Sequence, residues 1–154
     1  TSGAHNILIG SYCHTSGTGS SRQIVMGDSA VGSADNSVTF GNGGTDSAIA
    51  FGATSISAPS DIRLKENIEP IDNALEKLQS INGVTFNTIG QEKRQAGLIA
   101  QDLQKVLPEA VHENEDGMLS VAYGNTVSLL VQAIKELQAE VAELRQESSS
   151  NANK

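Results

Sequence analysis

Four short apolar runs in the first third of the chain each end at a glycine. The glycines are Gly10, Gly27, Gly41 and Gly52, spaced 17, 14 and 11 residues apart. Runs of β-prone residues bounded by Ser, Asn and Gly are typical of short strands, and a glycine after each strand permits a tight corner or close backbone approach. Repeats of this length predict a solenoid-like stack, in which no unit buries its own apolar face. Because such short strands hardly hold a core alone, we expect three chains wound about one axis.

The composition changes sharply at Ala58-Pro59-Ser60-Asp61. Residues 1–60 carry only four charges and 10 of the 15 glycines, whereas residues 61–154 carry the other 24 charged side chains. The net charge of -8 argues against a nucleic-acid partner, which requires a basic surface. The single cysteine excludes an intramolecular disulfide, and no apolar run approaches the length of a membrane span. Two structural regimes are therefore predicted, joined near residue 60.

The second regime has the patterns of a small globular domain. Apolar residues at helical spacing predict a helix over 71–81, and a second helix is predicted over 97–107, where Pro108 ends it. Residues 84–86 alternate as a strand does, and a second short strand is predicted over 118–121, after the turn at residues 113–117. The predicted domain is therefore mixed, with helices and strands of modest length.

From about Asn125 the apolar spacing becomes a strict a/d heptad seam. Glu140 and Arg145 fall at g and e, where they suit an interchain ion pair. β-branched residues at a with leucine at d favour two strands, so we expect the attached domain to set the stoichiometry. An amphipathic helix packed on its own domain is the alternative, and a frayed tail is expected after Glu147. The seam residues are Val127, Leu130, Ile134, Leu137, Val141 and Leu144.

The junction carries a serine and a lysine that suit nucleophilic chemistry. A hydroxyl needs a base to take its proton, and lysine is a base only if burial or nearby positive charge lowers its pKa. Arg63 would act in that direction on Lys65 and so activate Ser60. Spacing alone is weak evidence for this pair, because a serine and a lysine five residues apart are common.

The histidines of the chain do not suggest a second catalytic arrangement. His5 and His14 lie in the repeats and His112 in an acidic loop, so no Ser-His-Asp triad is evident. A metal or anion site at His5, Cys13 and His14 is less expected than ordinary packing, and no metal or cofactor is predicted.

Two separated motifs carry a resemblance to a known family. Residues 60–68, then residues 97–102 and 107–111, then the terminal helix resemble the C-terminal intramolecular chaperone domain of phage tail fibres and tailspikes. This is the endosialidase-type auto-processing domain, which is also related to the self-cleaving domain of a eukaryotic myelin transcription factor. The resemblance covers about residues 58–147. The repeats of residues 1–57 are similar to the end of a trimeric β-stalk in such fibres and to the heads of trimeric autotransporter adhesins.

The resemblance implies a homotrimer that folds its own stalk and then cuts itself. Ser60 matches the nucleophile of the family and Lys65 its general base. Arg63 and Asn67 are candidates for supporting roles. The resemblance implies a cut between Ser60 and Asp61. Ring closure leaves a second bond open, because the Ser60 hydroxyl reaches the preceding Pro59 carbonyl through a five-membered ring.

The predicted fold class is α+β. An intertwined trimeric β-helix or β-prism-like stalk over residues 1–57 precedes a chaperone domain over 58–124, a trimeric coiled-coil helix over 125–147 and a flexible tail over 148–154. The implied partners are two further copies, the upstream stalk as folding client and a bacterial surface receptor for the fibre. The stalk is expected in the virion tail fibre, and the chaperone domain in the host cytoplasm during assembly. The alternative is a non-catalytic adhesin stalk with a passive coiled-coil clamp.

Overall fold

A computed structural model describes residues 3–43 and 46–152 of the chain, in two compact units. The first unit extends to Ile68 and the second begins at Glu69. The boundary predicted after residue 57 is based on a change in composition, whereas the division into two units is based on contacts within the chain. The predicted boundary therefore stays a prediction. The class is confirmed at the level of a mixed α/β chain with small sheets and a long helix near its end.

The first unit is built on one four-stranded sheet, and each of the four glycine-ended runs contributes residues to one strand. In chain order and in sheet order they are β1 (Ile7–Ile9), β2 (Gln23–Gly27), β3 (Ser37–Gly41) and β4 (Ser47–Ala50). The first three run parallel, with Ile7 opposite Ile24 and Ile24 opposite Val38. The paired residues are 17 and 14 positions apart, the same as the first two spacings between the glycines, so these repeats stack in register.

The fourth run departs from the stack. β4 pairs with β3 in the antiparallel direction, and Ala48 then bridges to Ser57. Only five residues connect β3 to β4, and a parallel connection must first carry the chain back along the sheet. The shorter last spacing therefore closes the stack with a hairpin.

The glycines after the strands are required by the backbone. Gly10 and Gly27 have φ of 124° and 140°, which side-chain-bearing residues rarely adopt. A Cβ atom on Gly27 would also overlap the carbonyl oxygen of Gly41 on the next strand. The predicted role of these glycines in corners and close approaches is confirmed.

The face of this sheet that is buried within the chain carries many polar groups. Gln23, Ser37 and Thr39 are fully buried beside Val25. The amide of Gln23 accepts a hydrogen bond from the Ser16 N–H at 3.0 Å and donates to the Ser16 hydroxyl at 2.7 Å. Among the described residues, every buried side-chain polar atom has a hydrogen-bond partner. Hydrogen bonding therefore satisfies an interior that holds little apolar surface.

The opposite face of the sheet carries large apolar side chains that the single chain leaves partly open. The register aligns them in two rows across the strands, and Phe40 and Met26 remain 39% and 36% exposed. Single exposed apolar residues are common on protein surfaces. A contiguous exposed apolar face is uncommon and indicates a contact surface. We call these two rows the outer rows. They contain Ile7, Ile24, Val38 and Ile49 in one row and Ile9, Met26 and Phe40 in the other.

The second unit contains three helices and two small hairpins. The hairpins are β5 (Val84–Asn87) with β6 (Arg94–Gly97) and β7 (Val111–Glu113) with β8 (Leu119–Val121). The helices are α1 (Ala74–Gln79), α2 (Ala100–Val106) and α3 (Tyr123–Ala152), and a 3-10 turn covers Pro108–Ala110.

Two predicted helices begin later than expected. α1 begins at Ala74 because Asn73 before it has a left-handed backbone, with φ of 48°. α2 begins at Ala100 because Gly97 ends β6 opposite Val84, so the predicted start at residue 97 was wrong. α3 continues through the Ser/Asn segment to Ala152, beyond the predicted helix end at residue 147.

The core of the second unit uses a face of α3 that differs from the heptad seam. Leu129 and Ala133 of α3 are buried against Ala74 of α1 and Leu103 of α2. The seam remains open in the single chain, with Ile134 57% and Leu137 47% exposed. One face of α3 thus packs on its own domain, as the alternative proposed, while the seam stays available. The coiled coil itself stays a prediction.

A carboxylate of α3 caps the first turn of α1. Glu136 accepts hydrogen bonds from the Ala74 and Leu75 N–H groups at 3.0 and 2.8 Å. These are helix-start donors that have no partner within the helix. The bonds from Leu75 and then Ala74 hold the pKa of Glu136 below its ordinary value of 4.5.

We expect the Glu136 contact to stabilise the second unit only above acidic pH. Because folding lowers the pKa of this carboxyl, its contribution is present above pH 4.5 and is lost as the pH falls through the folded value. Glu136→Gln should therefore lower the melting temperature by several degrees at pH 7 and change it little at strongly acidic pH. Thermal unfolding followed by circular dichroism measures both. Glu143→Gln, on an exposed site of the same helix, is the control, and an equal effect of the two variants would contradict the assignment.

Candidate functional site

The segment from Ser60 to Asn67 forms one tight, exposed turn near the end of the first unit. Its centre is a 3-10 turn over Ile62–Leu64 with no buried residue. The Leu64 N–H donates to the Asp61 carbonyl and the Lys65 N–H to the Ile62 carbonyl, both at 3.1 Å. This turn reverses the local chain direction between residue 60 and residue 65.

The turn brings together the two side chains that the sequence nominated for catalysis. The Lys65 Nζ donates a hydrogen bond to the Ser60 Oγ at 2.8 Å. This separation is within the range at which a base takes a proton from a nucleophile. A protonated lysine donates to the hydroxyl, and a neutral lysine accepts its proton across the same contact. The arrangement can therefore activate Ser60 whenever the lysine is neutral.

Asp61 and Arg63 form an ion pair within the same turn. The Arg63 Nε and a terminal nitrogen donate to the two carboxylate oxygens of Asp61 at 2.9 and 2.8 Å. The Arg63 side-chain hydrogen bond, followed by its backbone N–H bond, holds the pKa of Asp61 below its ordinary range, and Asp61 raises the pKa of Arg63. The positive charge of Arg63, expected to act on Lys65, is thus offset by Asp61.

Asp61 also caps the turn, a role that sequence reasoning missed. Its Oδ1 accepts the Arg63 backbone N–H at 2.9 Å, which is the contact of an N-cap residue. The signal was present, because aspartate directly before a short helical turn is a favoured cap. Asn67 has a left-handed backbone conformation, with φ of 51°, which asparagine tolerates.

Three exposed aliphatic side chains lie within this turn or shortly after it in the sequence. Ile62 is 72% exposed, Leu64 60% and Ile68 62%. The predicted Ser60 and Lys65 are also exposed. Water therefore reaches both Ser60 and Lys65. The three aliphatic side chains are largely uncovered by the rest of the chain.

The other residues singled out from the sequence lie apart from this turn in the chain. His5 lies in a bend before β1, His14 bridges to Val31, and His112 is paired with Ser120 in the β7–β8 hairpin. The Cys13 thiol donates to the Gly27 carbonyl at 2.8 Å. Within residues 3–43 and 46–152 no group of three His, Cys, Asp or Glu side chains suits a metal ion. Over the same residues, no helix combines the length and apolarity that crossing a bilayer requires.

Comparison with known proteins connects this turn to a family. Residues 60–112 match the model of a peptidase family described as chaperone of endosialidase. The match begins at Ser60 itself and includes the whole turn, α1, α2 and both hairpin strands β5 and β6.

The similar curated proteins are phage fibre proteins. Long tail fiber protein Gp37 of Enterobacteria phage K3 is 45% identical over 114 residues, which are 68% of this chain and 9% of that protein. The Gp37 of Enterobacteria phage T2 is also 45% identical over 114 residues, 68% of this chain and 8% of that protein. The Gp37 of Enterobacteria phage M1 is 40% identical over 96 residues, 56% of this chain and 38% of that protein. The chain thus spans less than a tenth of the first two relatives.

Over residues 60–112 the chain is similar to the chaperone of endosialidase family. Together with the tail fibre relatives, this similarity supports an intramolecular chaperone domain of the phage tail fibre type.

Proposed function

We propose that this chain is part of a homotrimeric phage tail fibre, in which the family domain assembles a β-stalk and then releases itself by cutting beside Ser60. The observation that carries the proposal is the 2.8 Å contact between Ser60 Oγ and Lys65 Nζ, inside the segment that matches a peptidase family. The similarity to long tail fiber proteins supports a location in the virion tail fibre.

The reaction requires one nucleophile and one base. Neutral Lys65 takes the proton of the Ser60 hydroxyl while Oγ bonds to a carbonyl carbon. Collapse of the tetrahedral intermediate breaks the C–N bond, and Lys65 returns the proton to the departing nitrogen. The resulting ester is hydrolysed by water, which regenerates the hydroxyl and leaves a carboxylate. Direct attack on the Pro59 carbonyl closes a five-membered ring, and this route cuts the bond between Pro59 and Ser60. Attack of Ser60 on its own carbonyl would close a strained four-membered ring, so a cut between Ser60 and Asp61, which the family resemblance implies, requires a less direct mechanism.

The state of the lysine supplies the timing. Lys65 can take the Ser60 proton only when its own amine carries no extra proton. Removal from water favours the neutral form. Covering the exposed aliphatic side chains Ile62 and Leu64 by a neighbouring copy would exclude water from the pair. Cleavage would therefore follow assembly and not precede it.

Two apolar surfaces support assembly with further copies of the chain, and the number three comes from the family resemblance. The outer rows of the first unit place large apolar groups outside, while Gln23, Ser37 and Thr39 are buried inside. This inverted distribution is expected when the apolar face is the contact between copies. The exposed heptad seam of α3 gives the second unit a matching surface.

The chaperone role follows from the repeats in the stalk. Similar repeats allow registers that slip by one unit at little cost, and interchain contacts of this kind form slowly. A domain that trimerises first holds three chain ends at an effective concentration on the order of millimolar and starts them in one register. Once the domain is cut away, the assembled stalk persists through slow unfolding.

The proposal is tested by measuring intact mass and native mass on the same sample over time. The expected result is a trimer of full-length chains that converts to two pieces cut beside Ser60. The fragment masses also decide between the two bonds, because the N-terminal piece differs by one serine residue. A chain that is trimeric and stays whole would refute the self-cleavage and leave the chaperone role.

The water-exposed state of Ser60 and Lys65 favours one second candidate. A passive trimeric adhesin stalk with a coiled-coil clamp would carry the same turn without activating it. It predicts no cleavage at any stage of assembly, and binding of a cell-surface glycan by the first unit.

A further inference from the structure

We infer that Asp61 is a positioning residue whose carboxylate closes the turn that brings Lys65 to Ser60. The inference rests on the proposed function and names a further residue that its chemistry requires. Asp61 acts through the backbone of the turn, and the proton passes between Ser60 and Lys65 alone.

The pair needs a turn because of the distance along the chain. Five residues of extended backbone span up to about 17 Å, which is far beyond the reach of a lysine side chain. The 2.8 Å contact between Nζ and Oγ therefore exists only while residues 61–64 are folded back. The fraction of time that the turn is formed sets the fraction of time that the pair is formed.

The turn has few other sources of stability. It contains two backbone hydrogen bonds and no buried residue. A single helical turn of this kind is unfavourable in water, because the first bonds fix several dihedral angles at once. The bond from the Arg63 N–H to Asp61 Oδ1 is therefore a large share of what holds it.

The Arg63 side chain fixes the cap in place. Its guanidinium group binds both oxygens of Asp61 at 2.9 and 2.8 Å, which restricts the carboxylate to the orientation that caps the turn. Both side chains are well exposed, at 84% for Arg63 and 44% for Asp61, so water screens the ion pair. The backbone cap is thus the essential contact and the ion pair an accessory one.

Asparagine at position 61 separates positioning from direct chemistry. Its side-chain oxygen accepts the Arg63 N–H as the carboxylate does, and asparagine is as good a cap as aspartate. It carries no charge and accepts no proton. A positioning role survives Asp61→Asn, whereas an acid or base role is lost.

The experiment compares cleavage rates of full-length Asp61→Asn, Asp61→Ala and Arg63→Ala, with Glu66→Ala as the control. Glu66 is an exposed carboxylate of the same segment. We expect Asp61→Ala to cleave about tenfold more slowly, the factor that corresponds to loss of a cap, and Asp61→Asn to stay within about threefold of wild type. Arg63→Ala should fall between them. Wild-type rates in Asp61→Ala, or equal losses in Asp61→Asn and Asp61→Ala, would overturn the inference.

A second measurement does not depend on cleavage. In the Ser60→Ala background, hydrogen exchange of the Arg63 amide should be slow with aspartate or asparagine at position 61 and about tenfold faster with alanine. An amide that exchanges equally in all three overturns the inference even if the chain cleaves. If the wild-type chain stays whole while the Arg63 amide is protected as expected, the self-cleavage fails and the capped turn stands.

Discussion

Replacing Ser60 with alanine should leave the chain whole, while the wild-type chain of 154 residues yields pieces of about 60 and 94 residues. Removal of the hydroxyl removes the atom that bonds to the carbonyl carbon. Loss of a nucleophile in comparable enzymes lowers the rate by at least about a thousandfold. A denaturing gel and intact mass, taken after native mass establishes assembly, measure the effect.

Substitutions of Lys65 distinguish a role of its positive charge from a role as a base. Lys65→Arg keeps a positive donor that can bond to Ser60, but an arginine cannot be deprotonated in proteins, so it cannot accept the proton. We expect Lys65→Arg and Lys65→Ala both to stay whole. Lys77→Ala, which removes a lysine that is paired with Asp72 in the second unit, is the control and should cleave normally. Cleavage of Lys65→Arg at the wild-type rate would exclude the lysine as the base.

The candidate catalytic pair of the site could be predicted from the sequence, but the turn that brings the two side chains together could not. Ser60 and Lys65 were nominated through a family resemblance, because their spacing alone has no particular meaning. What the resemblance does not contain is the cause of their contact, which is the local turn capped by Asp61. The expectation for Arg63 considered its effect on Lys65 alone, whereas in the structure its guanidinium group binds the Asp61 carboxylate.

The helices and strands show a second limit. The apolar runs predicted all four strands, yet the direction of β4 depends on the short connection before it, which periodicity does not report. In α3 the strict heptads drew attention to the seam, while the buried contacts use Leu129 and Ala133, between the seam positions. A helix with two apolar faces gives two overlapping patterns, and the more regular one hides the other.

The outer rows lead to the second prediction. Phe40→Glu should abolish association of the released N-terminal piece, although it should change the fold of the single chain little. Phe40 is 39% exposed in the single chain and lies in the outer row with Ile9 and Met26. A carboxylate at this position is solvated in the monomer. In the trimer three carboxylates would be buried without a partner, at a cost of several kcal/mol for each ion.

Native mass of the released piece measures the change, with the wild-type piece expected as a trimer and the Phe40→Glu piece as a monomer. Tyr12→Glu is the matched control, because Tyr12 is an aromatic residue that is 79% exposed and lies outside the strands. That variant introduces the same charge and should stay trimeric. A Phe40→Glu piece that remains a trimer would show that the outer rows face solvent in the assembly. The polar interior of the first unit would then need another explanation, because its buried Gln23, Ser37 and Thr39 supply little hydrophobic stabilisation to a lone chain.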